Sequence, residues 1–182
     1  MIGNYILQDI KLRYQNLTFL KLIYHILCTP DIRLIVSCRI CKYLKNKKIY
    51  RGGYFLMKLY HRHLEHKYLV CFDDVLEFGT GLCFPHGGPF IINGGAKIGE
   101  CCTIHPNVLI GGDRNKKKCP VIGDNVFIGN GAKLIGNCKI GNWCFISPAA
   151  IITKDIPEYS VVGCGLNNII NSDGKRHVEL YL

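Results

Sequence analysis

The sequence predicts a mainly β fold, a parallel β-helix built from hexapeptide repeats, with an α-helical segment in front of it. The first observation behind this prediction is a large aliphatic residue at every sixth position along most of residues 78–152. The second is a Gly directly after half of these residues, as in Ile98-Gly99. The third is a change from helical spacing to this six-residue period near 69–75. A fixed repeat of this kind is typical of a solenoid, and neither a helix nor a plain strand produces it.

The repeat also predicts how the coils stack. If three hexapeptides form one triangular coil, positions 18 apart lie above one another, and the residue before each inward aliphatic points outward. The predicted stacks are Ile92, Ile110, Ile128 and Ile146 on one face, Ile98, Leu134 and Ile152 on the second, and Ile104, Ile122 and Ile140 on the third. The outward residues of the first face are all apolar (Ile91, Leu109, Phe127 and Phe145), which predicts a subunit interface.

Ahead of the repeat, apolar residues recur at helical spacing. This pattern predicts helices over 1–29, 31–49 and 54–67. The polar side of the third helix is predicted to hold His61, Arg62, His63 and His66. The resulting division is a helical segment at 1–70, a β-helix domain at 71–165 and a polar tail at 166–182.

The chain has 182 residues and a net charge of +10, and all of the excess lies in front. Residues 1–70 hold 13 Lys and Arg against three acids, whereas the remainder is balanced. This asymmetry predicts either an acidic partner or anionic membrane surface, or simply a solvated basic face. No apolar run is long enough to span a bilayer, so a membrane contact would be peripheral. Nucleic acid is not expected, because the charge lies on helices without a recognition motif.

Cysteine usage indicates a reducing environment. The 11 Cys residues have no disulfide-framework spacing, and the chain opens without a signal-peptide pattern. We therefore expect a cytoplasmic protein. The lone Cys38-Arg39-Ile40-Cys41 is interpreted as a buried helix face rather than a zinc site, and no metal is expected. Cys102, Cys138 and Cys144 are interpreted as small apolar fillers inside the repeat.

Two interruptions break the repeat. Between Phe84 and Ile92 the step is eight residues, so two extra residues lie within Pro85-His86-Gly87-Gly88-Pro89. The second interruption, at 112–120, replaces the site expected at position 116 with a polar loop but keeps the phase. Interruptions are where repeat proteins tend to place their function.

The interruptions supply the candidate functional residues. His86 is a candidate general base, since a neutral imidazole accepts protons near pH 7, although a plain surface-turn histidine fits its position as well. His105 should point outward one coil away, either as a substrate contact or as a solvated side chain. Arg114 and Lys118 belong to a cationic loop that suits a phosphate or carboxylate ligand, or is an ordinary charged loop.

About half of the chain resembles the hexapeptide-repeat acyltransferases. It is most similar to the serine acetyltransferases and their relatives in surface-polysaccharide gene clusters. The strings that carry the resemblance are Phe-Pro-His-Gly-Gly-Pro-Phe-Ile-Ile-Asn (84–93), Ala-Lys-Ile-Gly (96–99), Cys-Pro-Val-Ile-Gly-Asp-Asn-Val-Phe-Ile-Gly (119–129), Gly-Ala-Lys-Leu-Ile-Gly-Asn-Cys-Lys-Ile-Gly (131–141) and Thr-Lys-Asp-Ile-Pro-Glu-Tyr-Ser-Val-Val-Gly (153–163).

The resemblance implies a left-handed β-helix, a homotrimer, and acetyl-CoA bound in the groove between subunits. It also implies direct acetyl transfer to a hydroxyl, with His86 as the general base that later protonates the CoA thiolate, and with backbone N–H groups stabilising the oxyanion. The residues that it assigns to acetyl-CoA are Gly112, Gly129, Asn130, Pro148 and Lys154.

Several departures from the family pattern affect the predicted acceptor. Pro85 stands where serine enzymes have Asp, and Cys71 stands at their second acid, with Asp73 and Asp74 nearby as candidate substrate contacts. Lys118-Cys119 replaces their Arg-His pair, and 163–167 differs at the usual contact to the CoA phosphates. These changes favour a sugar hydroxyl of a surface polysaccharide or its precursor, with the basic front segment at the inner face of the membrane. The alternatives are L-serine O-acetylation for cysteine biosynthesis and a non-catalytic solenoid assembly module.

Overall fold

The computed structural model describes residues 2–14, 18–47, 51–113 and 118–181. The helices that precede the repeat are α1 (Ile2–Lys11), α2 (Phe19–Cys28), α3 (Pro30–Asn46) and α4 (Arg51–Tyr68). The predicted single helix over 1–29 is wrong. Helix α1 ends at Lys11, and Thr18 caps a separate helix by accepting a hydrogen bond on its side chain from the Lys21 N–H. Helix α3 begins with Pro30, a residue preorganised for the first helical position.

Fifteen short strands follow among the described residues, and a final helix α5 (Gly174–Glu179) closes the chain. The strands are β1 (Val70–Phe72), β2 (Glu77–Phe78), β3 (Phe90–Ile92), β4 (Lys97–Ile98), β5 (Thr103–Ile104), β6 (Leu109–Gly111), β7 (Val121–Ile122), β8 (Phe127–Ile128), β9 (Lys133–Ile135), β10 (Lys139–Ile140), β11 (Phe145–Ile146), β12 (Ala150–Ile152), β13 (Val161–Val162), β14 (Gly165–Leu166) and β15 (Ile169–Asn171).

The strands form the three faces of a triangular solenoid of about five turns, the left-handed parallel β-helix that the resemblance implies. The first sheet has the order β1-β3-β6-β9-β12-β14, the second β2-β4-β7-β10, and the third β5-β8-β11-β13-β15. Pairing is parallel except between β13 and β15. One inward aliphatic per strand fills the interior, and Ile92, Ile110 and Ile128 are wholly buried.

The predicted stacks are wrong beyond the loop at 112–120. Ile98 pairs with Ile122, Ile104 with Ile128, and Ile110 with Leu134, so this coil takes 24 residues instead of 18. The loop removes six residues from the coil, which is one full repeat. The phase along the sequence is therefore kept, while each following strand moves to the next face. The observed stacks are Ile92, Ile110, Leu134 and Ile152; Phe78, Ile98, Ile122 and Ile140; and Ile104, Ile128, Ile146 and Val162.

The predicted apolar stripe is divided for the same reason. Ile91 and Leu109 lie on the first sheet, whereas Phe127 and Phe145 lie on the third. Phe127 and Phe145 are buried, because Val178 of α5 packs against them in one apolar cluster. The end of the chain, expected only as a polar tail, thus adds strand β15, which pairs with β13, and a helix that covers part of the solenoid.

The helices join the solenoid through buried polar contacts at its first strand. His61 donates a hydrogen bond from Nε2 to the Phe72 carbonyl (2.7 Å), and its Nδ1 lies 2.7 Å from the Ser37 hydroxyl. The prediction that His61 belongs to the polar side of its helix is therefore wrong, since the side chain is buried. The Glu65 carboxylate accepts the Phe72 N–H at 2.8 Å. These bonds fix the direction in which the chain leaves α4 and enters the first coil.

The cysteines behave as apolar side chains. Cys102, Cys138 and Cys144 are buried as predicted, and burial raises the pKa of the Cys102 thiol to about 12. Cys38 and Cys41 are both fully buried, as expected of a buried helix face. All eleven thiols are unpaired.

Within the described ranges, none of the helices combines the length and the apolar composition that crossing a bilayer needs.

We predict that Ile128→Ala lowers the free energy of unfolding by about 2–5 kcal/mol, because it opens a cavity in the middle of a fully buried stack. Val121→Ala, at an outward position that is 41% exposed, is the matched control and should change it by less than about 0.5 kcal/mol. Chemical denaturation measures both. Equal losses for the two variants would contradict the assignment of inward and outward positions.

Candidate functional site

One corner of the triangular coil collects most of the predicted catalytic and cofactor residues. The chain passes there from the third sheet into the first, and we call this edge the histidine corner. Successive coils place His86, His105, Gly129, Asn130 and Pro148 along it. Residues far apart in sequence thus share one edge of the solenoid.

The backbone around His86 is shaped by a turn and two glycines. The Gly87 N–H donates to the Phe84 carbonyl at 3.1 Å, which closes a turn with His86 near its tip. Gly87 and Gly88 both have positive φ, at 57° and 84°, a region that side-chain-bearing residues avoid. The two residues added to this coil are therefore accommodated by an outward turn that leaves His86 exposed.

His105 lies beside His86, as its spacing predicts. The two ring centroids are 5.4 Å apart, and the other side of the His105 ring is 4.8 Å from the ring of Phe127. Burial lowers the pKa of His105, and the neighbouring His86 lowers it further. His105 is consequently neutral at pH 7 and adds no positive charge next to His86.

Backbone hydrogen bonds hold the rest of the corner in register. Asn107 N–H donates to the Pro89 carbonyl (2.6 Å), and Ala149 N–H donates to the Asn130 carbonyl (2.9 Å). Gly129 is buried, and a Cβ there would lie 2.6 Å from the Pro148 nitrogen, so only glycine fits. The two coils below His105 therefore present a close-packed backbone beside the exposed Asn130 and Pro148.

The remaining predicted residues lie at a different corner, where the chain passes from the first sheet into the second. This second edge, which we call the loop corner, holds Asp73, Asp74, Gly112, Lys118 and Lys154. The Asp113 N–H donates to the Lys118 carbonyl at 2.9 Å and closes the base of the loop. Arg114 lies outside the described residues. Lys154 is exposed, and its N–H donates to Asn167 Oδ1 at 3.3 Å.

The two aspartates at this corner differ in their surroundings. Asp74 is buried, and its carboxylate accepts hydrogen bonds from the Tyr54 hydroxyl (2.8 Å) and Lys58 Nζ (3.1 Å) of α4. Burial alone would raise the pKa of Asp74, but its hydrogen bonds with Asp73, Tyr54 and Lys58 lower it to about 2. Asp74 thus ties α4 to the first coil. Asp73 is exposed, and its carboxylate accepts the Val75 N–H at 3.2 Å.

Sequence reasoning missed an aromatic row that continues from the histidines. Phe127 and Phe145 stack with centroids 4.7 Å apart, and Tyr181 lies 4.6 Å from Phe127. His177 of α5 lies 5.4 Å from Phe145. The only signal in the sequence is the three-residue spacing of Val178 and Tyr181 in a short polar tail. This spacing is too brief to indicate a helix.

The histidine corner is chemically suited to moving a proton. An exposed imidazole next to a neutral one can accept a proton from a hydroxyl without a nearby cation opposing it. In the part of the chain that the structure describes, no group of three or more His, Cys, Asp or Glu residues is arranged to hold a metal ion.

Known proteins that are similar to this chain include a hexapeptide-repeat transferase family and several serine acetyltransferases. The family described as Bacterial transferase hexapeptide (six repeats) matches residues 119–154. A serine acetyltransferase of Staphylococcus aureus is 35% identical over 102 residues, which are 55% of this chain and 48% of that protein. The chain therefore spans about half the length of the curated relatives that it matches.

Two solved structures are similar over most of this chain. Serine acetyltransferase isoform 3 from Entamoeba histolytica, in complex with cysteine, has a TM-score of 0.73 and 25% identity, covering 89% of this chain and 58% of that one. A serine acetyltransferase in complex with CoA has a TM-score of 0.70 and 23% identity, covering 88% and 65%. The likeness extends beyond the 102 matched residues into the helical segment.

We predict that the imidazole of His105 titrates below pH 6.5 in the folded protein, because burial and His86 both disfavour its charged form. In His86→Gln its pKa should rise but stay below 6.5, since burial is the larger cause. NMR titration of the histidine ring signals measures both values. A His105 pKa at or above 6.5 in the folded protein would contradict a neutral His105 beside His86.

Proposed function

We propose that this chain, a serine acetyltransferase-like hexapeptide-repeat protein, is an acetyl-CoA-dependent O-acetyltransferase that uses His86 as its general base. The observation that carries this proposal is the pair of histidines at one corner of the coil, with ring centroids 5.4 Å apart. His86 is exposed to an acceptor, and its neighbour stays neutral. The likeness to serine acetyltransferases supports the reaction class.

The proposed reaction is a single transfer with balanced proton movement. His86 in its neutral form takes the proton of the acceptor hydroxyl as the oxygen attacks the thioester carbonyl carbon of acetyl-CoA. The tetrahedral intermediate then collapses, the carbon–sulfur bond breaks, and the imidazolium returns its proton to the departing CoA thiolate. The products are an acetyl ester and CoA. Backbone N–H groups at the corner are the proposed oxyanion donors.

The neutral state of His105 favours this cycle. During the reaction His86 carries a positive charge for as long as it holds the acceptor's proton. A second cation about 5 Å away would raise the energy of that state and lower the basicity of His86. We propose that His105 acts as an uncharged wall of the acceptor pocket and offers a ring nitrogen for a hydrogen bond to the substrate.

Acetyl-CoA is proposed to lie along the close-packed backbone of the histidine corner. Gly129 lets its coil pack closely on the next one, since a Cβ there would lie 2.6 Å from the Pro148 nitrogen, and the exposed Asn130 and Pro148 are the proposed contacts to the ligand. The CoA-bound structure with a similar fold supports the choice of ligand class. Lys118, Lys154 and Arg114 are the proposed partners of the CoA phosphates, with Gly112 at the base of the loop.

These two sets of residues lie at different corners, which supports an assembly of several copies. A single coil cannot bring Lys118 and His86 to one point, since an entire face of the triangle lies between their corners. In a cyclic trimer, the loop corner of one copy would meet the histidine corner of the next. We therefore propose a homotrimer with acetyl-CoA in the groove between copies.

The comparisons favour L-serine as the acceptor, whereas the departures from the serine acetyltransferase pattern favour a polysaccharide sugar. The similar proteins are serine acetyltransferases, and none of the comparisons given above involves a polysaccharide enzyme. A sugar hydroxyl remains the second candidate because of one local feature. Pro85 supplies no carboxylate in front of His86, and Asp74, the buried acid of the first coil, is held by α4. An amino acid's ammonium would thus find less negative charge here than a serine site is expected to offer.

We predict that His86→Ala lowers kcat/KM for CoA release by about 10²–10⁴, the usual contribution of a general base. His63→Ala is the control, since His63 is exposed on α4 and should leave the rate unchanged. Thiol detection of free CoA follows the reaction. If His86→Ala kept the wild-type rate, His86 would have no part in the chemistry. If the wild type itself released no CoA above the uncatalysed rate, the non-catalytic solenoid would become the better account.

The acceptor is identified with purified protein, acetyl-CoA and either L-serine or a panel of hexoses and N-acetylhexosamines. We expect acceptor-dependent CoA release with L-serine, and a product that carries an acetyl ester on the serine hydroxyl by mass spectrometry. Release with a sugar and none with serine would exclude the serine assignment in favour of the second candidate. His86→Ala should lower whichever activity is found by the same factor of about 10²–10⁴.

A further inference from the structure

Helix α2 leaves an entire apolar face uncovered. Phe19, Leu20 and Leu27 are 75%, 77% and 63% exposed, and none of the α2 residues is buried. These side chains lie on one side of the helix, because they are separated by one, seven or eight positions. The opposite side, with Leu22 and Ile26, packs partly against the core of α1 and α3.

Helix α4 also has an uncovered face, which is apolar in the first half of the helix and cationic further on. Phe55, Leu56 and Leu59 are 62%, 69% and 53% exposed in its first half. One and two turns further on, the same face carries the exposed cation Arg62, which lies 3.5 Å from the Glu65 carboxylate, and then the exposed Lys67. Its buried side, with His61, Leu64 and Glu65, packs on α3 and the first coil.

Both helices pack against α3 and come together near its start. Arg33 of α3 donates hydrogen bonds to the Tyr60 hydroxyl of α4, the shorter at 2.8 Å. Cys28, the last residue of α2, is joined to Pro30, the first residue of α3, by the single residue Thr29. The end of α2 and the middle of α4 therefore flank one charged residue of α3.

The acidic side chains of this segment are turned inward. Asp9 is 1% exposed, and it binds Arg39 Nη2 (2.9 Å) and the Gly81 N–H (2.9 Å). Asp31 is buried in an ion pair with Arg13. Glu65 is buried, and its carboxylate accepts a hydrogen bond from the Phe72 N–H. Residues 1–70 contain 13 Lys and Arg and only these three acids. The three acidic side chains are thus buried in contacts within the fold, and the exposed charged side chains of this segment are cationic.

We propose that the exposed faces of α2 and α4 bind the surface of an anionic lipid bilayer. Exposed Phe and Leu side chains beside Lys and Arg are the combination that lies in the interface of such a membrane. A second copy of this chain is a poorer occupant, because it would bring the same cations face to face without acids to offset them. The inference is independent of the enzymatic proposal, since it involves neither the histidine corner nor the loop corner.

The test is co-sedimentation of the full chain with vesicles of phosphatidylcholine alone and of phosphatidylcholine with 30% phosphatidylglycerol. We expect binding to the anionic vesicles that falls at least tenfold when NaCl is raised from 0.1 to 0.5 M, because salt screens surface charge. Leu20→Ser with Leu59→Ser should weaken binding about tenfold or more through lost apolar contact. Lys21→Gln with Lys67→Gln should weaken it by a similar factor.

Matched controls lie on the solenoid. Ile91→Ser with Val121→Ser, and Lys133→Gln with Lys139→Gln, change exposed residues of the same kinds on its faces and should leave vesicle binding unchanged. Circular dichroism establishes that every variant is folded. Equal binding to both vesicle types, or none to either, overturns the proposal. A smaller oligomeric mass for Leu20→Ser with Leu59→Ser by light scattering also overturns it, because the faces would then be contacts between copies.

Discussion

The stacking of one inward aliphatic side chain on the next, coil over coil, is the constraint on which the rest of this structure depends. Ile104, Ile128 and Ile146 form such a column and are all but fully buried. Because each strand must present its inward residue above the one before, additional residues can leave the coil only at the corners. The two insertions in the repeat do so, one at the histidine corner and one at the loop corner. The rigid interior thus determines where irregular backbone, and with it chemistry, can occur.

The same constraint explains how exposed residues keep a defined geometry. His86 lies on a turn at the surface, yet the paired strands on either side and the two left-handed glycines restrict its backbone. His105 donates its backbone N–H to the Ile128 carbonyl of the next coil, and its ring lies against that of Phe127. A site built on corners of a solenoid is therefore preorganised without a deep pocket, and a neighbouring copy can complete it.

The six-residue period was sufficient to predict the fold class, the inward positions, the buried cysteines and the proximity of His86 and His105. It could not reveal that the loop at 112–120 takes a full repeat out of the coil. An excursion of six residues leaves Ile110 and Ile122 in the same six-residue phase. Only the strand pairing distinguishes a regular 18-residue coil from a 24-residue coil with a six-residue loop. Phe127 was assigned to the wrong face for this reason.

Other features depend on contacts that no local pattern encodes. His61 is surrounded in the sequence by exposed polar residues of α4, but its side chain is buried and hydrogen-bonded to the Phe72 carbonyl and Ser37. Helix α5 is six residues long and gains its stability from packing on Phe145, not from its own sequence. Thr18 separates α1 from α2 through a single capping contact. In each case a tertiary or capping interaction outweighed the periodic signal.

We propose that the two-residue insertion beside His86, and not the repeat itself, makes this β-helix a catalyst. Deleting Gly87 and Gly88 tests it most directly, because it restores an 18-residue coil and removes the turn that holds His86 outward. We expect a protein that is folded by circular dichroism and whose CoA release is as slow as that of His86→Ala. A folded deletion variant that retains activity within a few-fold of the wild type would contradict it.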